Sequence, residues 1–138
     1  MKILALETSA KSVSAAVTEN GAVLASAYQN RVLTHSVTLM PLIDGMLCTA
    51  GLSLDDIGLI AAANGPGSFT GLRIGLAAVK GLAFPHDTPC AAVSTLEALA
   101  YSAAVEGTLL CALDARRGEV YWAGFFAADG AVERLCPD

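Results

Sequence analysis

Positive charge is the first thing this sequence has little of. Eight Lys and Arg residues stand against thirteen Asp and Glu, a formal net charge of −5, and Lys2, Lys11, Arg31, Arg73, Lys80, Arg116, Arg117 and Arg134 are scattered. Proteins that grip RNA or DNA concentrate cations to displace counterions, so direct nucleic-acid binding is disfavoured. The four cysteines, Cys48, Cys90, Cys111 and Cys136, make no C-x-x-C pair, which argues against a zinc knuckle. No basic segment with an apolar core opens the chain, so no secretory leader is read. Every apolar stretch is broken by Asn, Gly, Pro or charge before it reaches membrane-spanning length. No membrane association is expected, and free thiols point to a reducing cytoplasm. With 54% hydrophobic and 15% charged residues, the chain is not disordered, and 138 residues suit one domain or one and part of another.

What is present reads as an α/β fold. KILALE (2–7) is apolar on both faces, as a central strand should be. SVSAAVT (12–18) alternates, with Val13, Ala15 and Val17 on one side, and AVLASAYQ (22–29) follows Asn20-Gly21, a strong hairpin signal. These three strands predict an antiparallel meander. Leu39, Leu42, Ile43, Met46, Leu47 and Ala50 repeat at three and four, predicting a helix over 36–50 with Thr34 or Ser36 as cap and Gly51 as stop. Pro41 should lie near its first turn or kink it. IGLIAAA (57–63) predicts a strand, 70–83 a second helix and CAAV (90–93) another strand. Ser94-Thr95-Leu96-Glu97 opens a third helix to about Ala104. TLLCALD (108–114) and EVYWAGFF (119–126) predict two further strands joined at Ala115-Arg116-Arg117-Gly118.

The segment NGPGSFTGLRIG (64–75) looks at first like a phosphate cradle. A P-loop requires Gly-Lys-Ser/Thr, but Gly71 precedes Leu72 and Arg73. In a dinucleotide fingerprint Thr70 stands where the third glycine belongs. Ser68 and Thr70 are better suited to capping the helix. Along that helix, Phe69, Leu72, Leu76, Val79 and Ala83 form a stripe expected to face the sheet. Gly71, Gly75, Ala78 and Leu82 form a second. Two interior glycines on one face, each costing about 1 kcal/mol against alanine, imply a close neighbour. That neighbour is either the first helix of the same domain or a helix of another subunit. Val37, Met40 and Cys48 make the first helix apolar on its far side as well.

LALETSAKSVSAAV (4–17), NGPGSFTGLRIG (64–75), VSTLEALA (93–100) and LDARRGEVYWA (113–123) together resemble the TsaB (YeaZ) family of tRNA threonylcarbamoyladenosine biosynthesis proteins, in order and spacing across essentially the whole chain. The resemblance implies an actin, sugar-kinase and Hsp70-ATPase-like fold, with an RNase-H-like lobe over 1–105 built as a mixed sheet with helices. It implies that 106–138 begins a second lobe, truncated here because family members continue well past this hairpin. It further implies a non-catalytic subunit that pairs with a TsaD-like catalytic subunit, joined by a TsaE-like ATPase and meeting tRNA only through the complex. The family's pairing helices match 36–50 and 70–83. The partner-facing residues are accordingly expected at His35, Leu39, Ile43, Met46, Phe69, Gly71, Arg73, Gly75, Ala78 and Leu82. Without that partner, a homodimer through the same helices is the simplest closed arrangement.

No catalytic residue, metal ligand set or cofactor is expected. TsaD-type subunits hold a metal on H-x-x-x-H, whereas His35 and His86 are far apart here. Glu7, Thr8 and Ser9 match the superfamily's phosphate-facing turn, so a vestigial nucleotide site stays open there beside the plainer reading of a polar strand end. Two other functional classes stay open with it: an actin-like ATP-binding enzyme and a metal-dependent peptidase.

Overall fold

The computed structural model describes residues 1–30 and 35–136. Five strands form one mixed sheet: β1 (Lys2–Glu7), β2 (Val13–Glu19), β3 (Ala22–Gln29), β4 (Ile57–Gly65) and β5 (Cys90–Ser94), in the order β3-β2-β1-β4-β5. The first three make the expected antiparallel meander, and β4 and β5 continue the sheet in parallel from β1. At the β2–β3 turn Asn20 has φ 52° and Gly21 φ 81°, the left-handed pair that an Asn-Gly hairpin uses.

Helices α1 (His35–Thr49) and α2 (Phe69–Ala83) cover one face of this sheet. Leu4 and Leu6 of β1 and Val13, Ala15 and Val17 of β2 meet Leu39, Ile43 and Met46 of α1 and Val79 and Leu82 of α2. Each of the larger of these side chains, Leu, Val, Ile or Met, contributes about 1.5–3 kcal/mol by leaving water. The expected cap Thr34 lies outside the described residues, and Ser36 is already inside α1. Pro41 lies inside α1 on its exposed side, where it cannot donate to the Val37 carbonyl. Ala50, placed in the apolar stripe by its spacing, falls beyond the helix end and is exposed.

A second sheet holds β6 (Gly107–Arg116), β7 (Glu119–Ala128) and β8 (Ala131–Arg134), all antiparallel. The sequence reading has no counterpart to β8. Its signal was present in Asp129-Gly130, at φ 52° and 75°, a second left-handed hairpin pair between apolar runs. Helix α3 (Thr95–Ala103) opens with Ser94 Oγ accepting from the Glu97 N–H at 3.4 Å. It then lays Leu96 and Ala100 against Cys111, Ala123 and Phe125 of the second sheet. Arg134 of β8 donates from Nη2 to Ser94 Oγ at 3.1 Å and lies 5.2 Å from the Phe125 ring centre. The helix read as the end of the first lobe is thus the main packing element of the second sheet.

Phe125 is fully buried at the centre of that smaller core. Phe125→Ala should cost about 3–5 kcal/mol through loss of transfer energy and an unfilled cavity. Denaturant unfolding checks it, and a cost below about 1 kcal/mol would contradict this packing.

Candidate functional site

The residues singled out in the sequence converge on the turn that follows β1. Thr8 is 2% exposed and Ser9 5%. The start of α2 buries them. The Ser68 N–H donates to the Ser9 carbonyl at 2.7 Å, and Ser68 Oγ caps α2 by accepting from the Gly71 N–H at 3.2 Å. A Cβ built on Gly67 would lie 2.6 Å from Ser9 Cβ. One on Gly71 would overlap the Thr8 carbonyl oxygen, and one on Gly75 the Thr8 hydroxyl. The remaining glycine of the loop, Gly65, has φ 119° and precedes Pro66 through a cis peptide bond. Only glycine accepts that backbone conformation without strain.

Two more side chains close the turn. Glu7 Oε1 accepts from the Ser9 N–H at 2.5 Å. His35, the first residue of α1, places Nε2 2.8 Å from the Ala10 carbonyl; the carbonyl can only accept, so the ring donates from Nε2. His35 Cδ2 would also lie 3.4 Å from a Cβ on Gly71. Glu7, Thr8, Ser9, His35, Gly71 and Gly75 therefore form one assembly.

This placement corrects the reading of α2. The stripe expected to face the sheet and the stripe expected to face outward exchange roles in part. Gly71, Gly75 and Leu82 are buried, and Ala78 packs partly buried against the core. Phe69 is 68% exposed and Leu76 37%. The nearest neighbour of these glycines is the Thr8–Ser9 turn of the same lobe, with His35 of the first helix beside Gly71. Leu39, Ile43 and Met46, expected toward a partner, lie in the lobe's own core. Glycine carries no hydrophobic signal, so apolar periodicity alone assigns the larger side chains, Phe69 and Leu76, to the sheet. Of the expected contact residues, Phe69 and Arg73 remain outward, the Arg73 guanidinium 3.9 Å from the centre of the Phe69 ring. Val37 (62% exposed), Met40 (44%) and Leu76 extend the apolar part of this outward surface.

The two histidines stand apart. His86 Nδ1 lies 3.0 Å from Asp55 Oδ1 at the surface, while His35 serves the Ala10 carbonyl. Among the described residues no three His, Cys, Asp or Glu side chains are grouped to hold a metal ion. The turn that matches a phosphate-facing loop presents buried Thr8 and Ser9 side chains, and the Glu7 carboxylate is engaged by the Ser9 backbone. Beside this turn, on the sheet face away from α1 and α2, a groove of about 330 Å³ is lined mainly by alanines, with Glu7, Ser14, Ser26 and Tyr28 as its polar groups.

Comparison with known proteins places these features. The family model for TsaD, tRNA N6-adenosine threonylcarbamoyltransferase, matches residues 22–134. The TsaB tRNA threonylcarbamoyladenosine biosynthesis protein of Escherichia coli K12 is 40% identical over 128 residues, covering 91% of this chain and 55% of that protein. The structure of YeaZ from Pseudomonas aeruginosa superposes with a TM-score of 0.89 at 36% identity, over 99% of this chain and 64% of that one. A hexokinase of the ROK type from Thermus thermophilus matches with a TM-score of 0.53 at 16% identity over 96% of this chain and 48% of its own, which indicates a shared sugar-kinase-like fold. The chain spans a little over half the length of the curated relative and about two thirds of the YeaZ chain.

The packing around Thr8 sets an order of sensitivity. Gly71→Ala should be the most damaging substitution, above about 3 kcal/mol, because rigid backbone must move. Gly75→Ala should cost about 1–3 kcal/mol despite alanine's better helix propensity. Leu76→Ala, at a site 37% exposed, should cost less than either. Thermal or urea unfolding of the three variants checks the order, and a stabilised Gly75→Ala would refute the contact.

Proposed function

The chain belongs to the TsaB (YeaZ) family, and on that premise we propose that it acts as a non-catalytic subunit in tRNA threonylcarbamoyladenosine biosynthesis, docking a TsaD-like catalytic subunit. The observation that carries this reading is the outward surface of α1 and α2. Val37, Met40, Phe69 and Leu76 put apolar area in water there, with Arg73 stacked on Phe69. Exposed apolar patches of this kind mark protein interfaces, and a stacked arginine beside aromatic surface is a common anchor. The Thr8 packing gives the surface a rigid base, since both helices are fixed to the same turn. Stiff presentation reduces the ordering cost of association.

The chemistry of the described residues favours a supporting role over a catalytic one. Its two histidines serve a backbone carbonyl and a surface aspartate, and the net charge of −5 disfavours an independent grip on tRNA. In this reading tRNA is met through the complex, which a TsaE-like ATPase also joins. The work is placed in the bacterial cytoplasm, in keeping with four free cysteines among the described residues. Among the described residues no helix is long and apolar enough to cross a membrane. Without the catalytic subunit, the same helix surface is the seat of a homodimer.

The test is binding to a TsaD-like subunit from the same source, followed by a modification assay with and without this chain. Leu76→Glu and Arg73→Glu should each weaken binding at least about tenfold, or 1.4 kcal/mol, with circular dichroism and unfolding unchanged. Leu24→Glu, at an exposed site on β3, should leave binding intact. Unchanged affinity in both helix variants would overturn the proposed surface, and modification that proceeds equally well without the chain would overturn the role.

A further inference from the structure

On the docking reading above, we propose that His35 is a positioning residue for the outward surface of α1 and α2. It holds the start of α1 against the start of α2 from beneath, and so spaces the residues a partner touches. His35 opens α1, and its Nε2 donates to the Ala10 carbonyl at 2.8 Å. Its Cδ2 lies beside Gly71, 3.4 Å from where a Cβ would stand. One ring therefore meets the starts of both helices and the turn after β1. Helical geometry puts the exposed residues on the other side of this contact. Two residues along a helix is a rotation of about 200°. Val37 accordingly points away from His35, and Phe69 and Arg73 both point away from Gly71. Phe69 and Arg73 are four residues apart, the spacing at which helical side chains meet, and they stack. The His35–Gly71 contact thus lies beneath Val37 on one helix and the Phe69–Arg73 stack on the other.

The start of α1 is where a tie from outside the helix matters. An α-helix holds its first turn through N–H groups donated from the second. In α1 these belong to Leu39, Met40 and Leu42, while Pro41 has no N–H for the Val37 carbonyl. The gap falls at Val37 itself, an exposed apolar residue of the docking surface. His35 compensates by reaching to Ala10, next to the Thr8–Ser9 pair that is seated against Gly67, Gly71 and Gly75. Through that turn the first turn of α1 is fixed relative to α2 as well as to the sheet. A surface built from two helices binds more tightly when their spacing is set before the partner arrives, because ordering on contact subtracts from affinity. His35 is itself half-buried, and its part in docking is this spacing.

Calorimetric titration of the full chain with the TsaD-like subunit from the same source reads the effect. His35→Ala should weaken binding about fivefold, the ratio to which the net contribution of one ordinary hydrogen bond amounts. His35→Phe keeps a ring beside Gly71 but has no donor, and it should bind as weakly as His35→Ala. His35→Gln keeps an amide donor and should bind within about twofold of the parent. Hydrogen exchange on the free chain separates positioning from direct contact. The Leu39 and Met40 amides should exchange faster in His35→Ala and His35→Phe and at the parental rate in His35→Gln, with β1 and β4 amides unchanged in all three. Leu76→Glu and Arg73→Glu are titrated alongside. If neither weakens binding, the docking reading fails and the role of His35 falls with it. If they weaken binding and His35→Ala does not, the role of His35 alone falls. Weak binding by His35→Gln would overturn it, as would weak binding by His35→Ala with unchanged exchange at Leu39 and Met40, because the ring would then be a direct contact.

Discussion

The close approach of α2 to the turn after β1 is the constraint from which the rest of the larger sheet's architecture follows. Thr8 and Ser9 are polar residues at a strand end, yet both are almost fully buried. They can be so only because Gly67, Gly71 and Gly75 remove three side chains from the surface that covers them. The glycines give up helix propensity, about 1 kcal/mol each inside α2, and the packing gained by bringing a helix onto backbone offsets it. His35 and Ser68 tie the same turn to both helices by hydrogen bonds to the Ala10 and Ser9 carbonyls.

Once α2 is seated this way, its remaining faces are decided by geometry. Val79 and Leu82 continue the glycine side into the core, and Phe69, Arg73 and Leu76 turn outward. The exposed apolar surface is therefore the counterpart of the buried small one. A loop that resembles a phosphate cradle in composition packs instead against a segment of its own chain.

The two sheets show the same logic at different degrees of closure. The meander β1-β2-β3 and the meander β6-β7-β8 are both ordered outward from their first strand. In the first sheet β1 is flanked on its other side by parallel β4. Strand β6 has β7 on one side only among the described residues. Helix α3 joins the sheets by inserting Leu96 and Ala100 into the smaller core, while Ser94 at its start accepts from Arg134 at the far end of β8.

Local signals carried most of the secondary structure. Asn20-Gly21 located the first hairpin, Ser94 with Glu97 the start of α3, and the alternation of Val13, Ala15 and Val17 the buried side of β2, because each acts within a few residues of itself. The same kind of signal stands in Asp129-Gly130, at the turn before β8. The family was legible as well, since its motifs are contiguous stretches of sequence. The facing of α2 was not. A count of apolar periodicity weighs Phe69 and Leu76 above Gly71 and Gly75, and it cannot see that the nearest neighbour of the helix is a strand-end turn more than sixty residues earlier in the chain. Sequence by itself determined which residues form strands and helices, because backbone propensity and turn chemistry are local. Only the tertiary structure decided which face of α2 is buried, because that depends on the shape of Thr8 and Ser9 across the interface, and a glycine records the space it leaves only when the neighbour that fills it is in place.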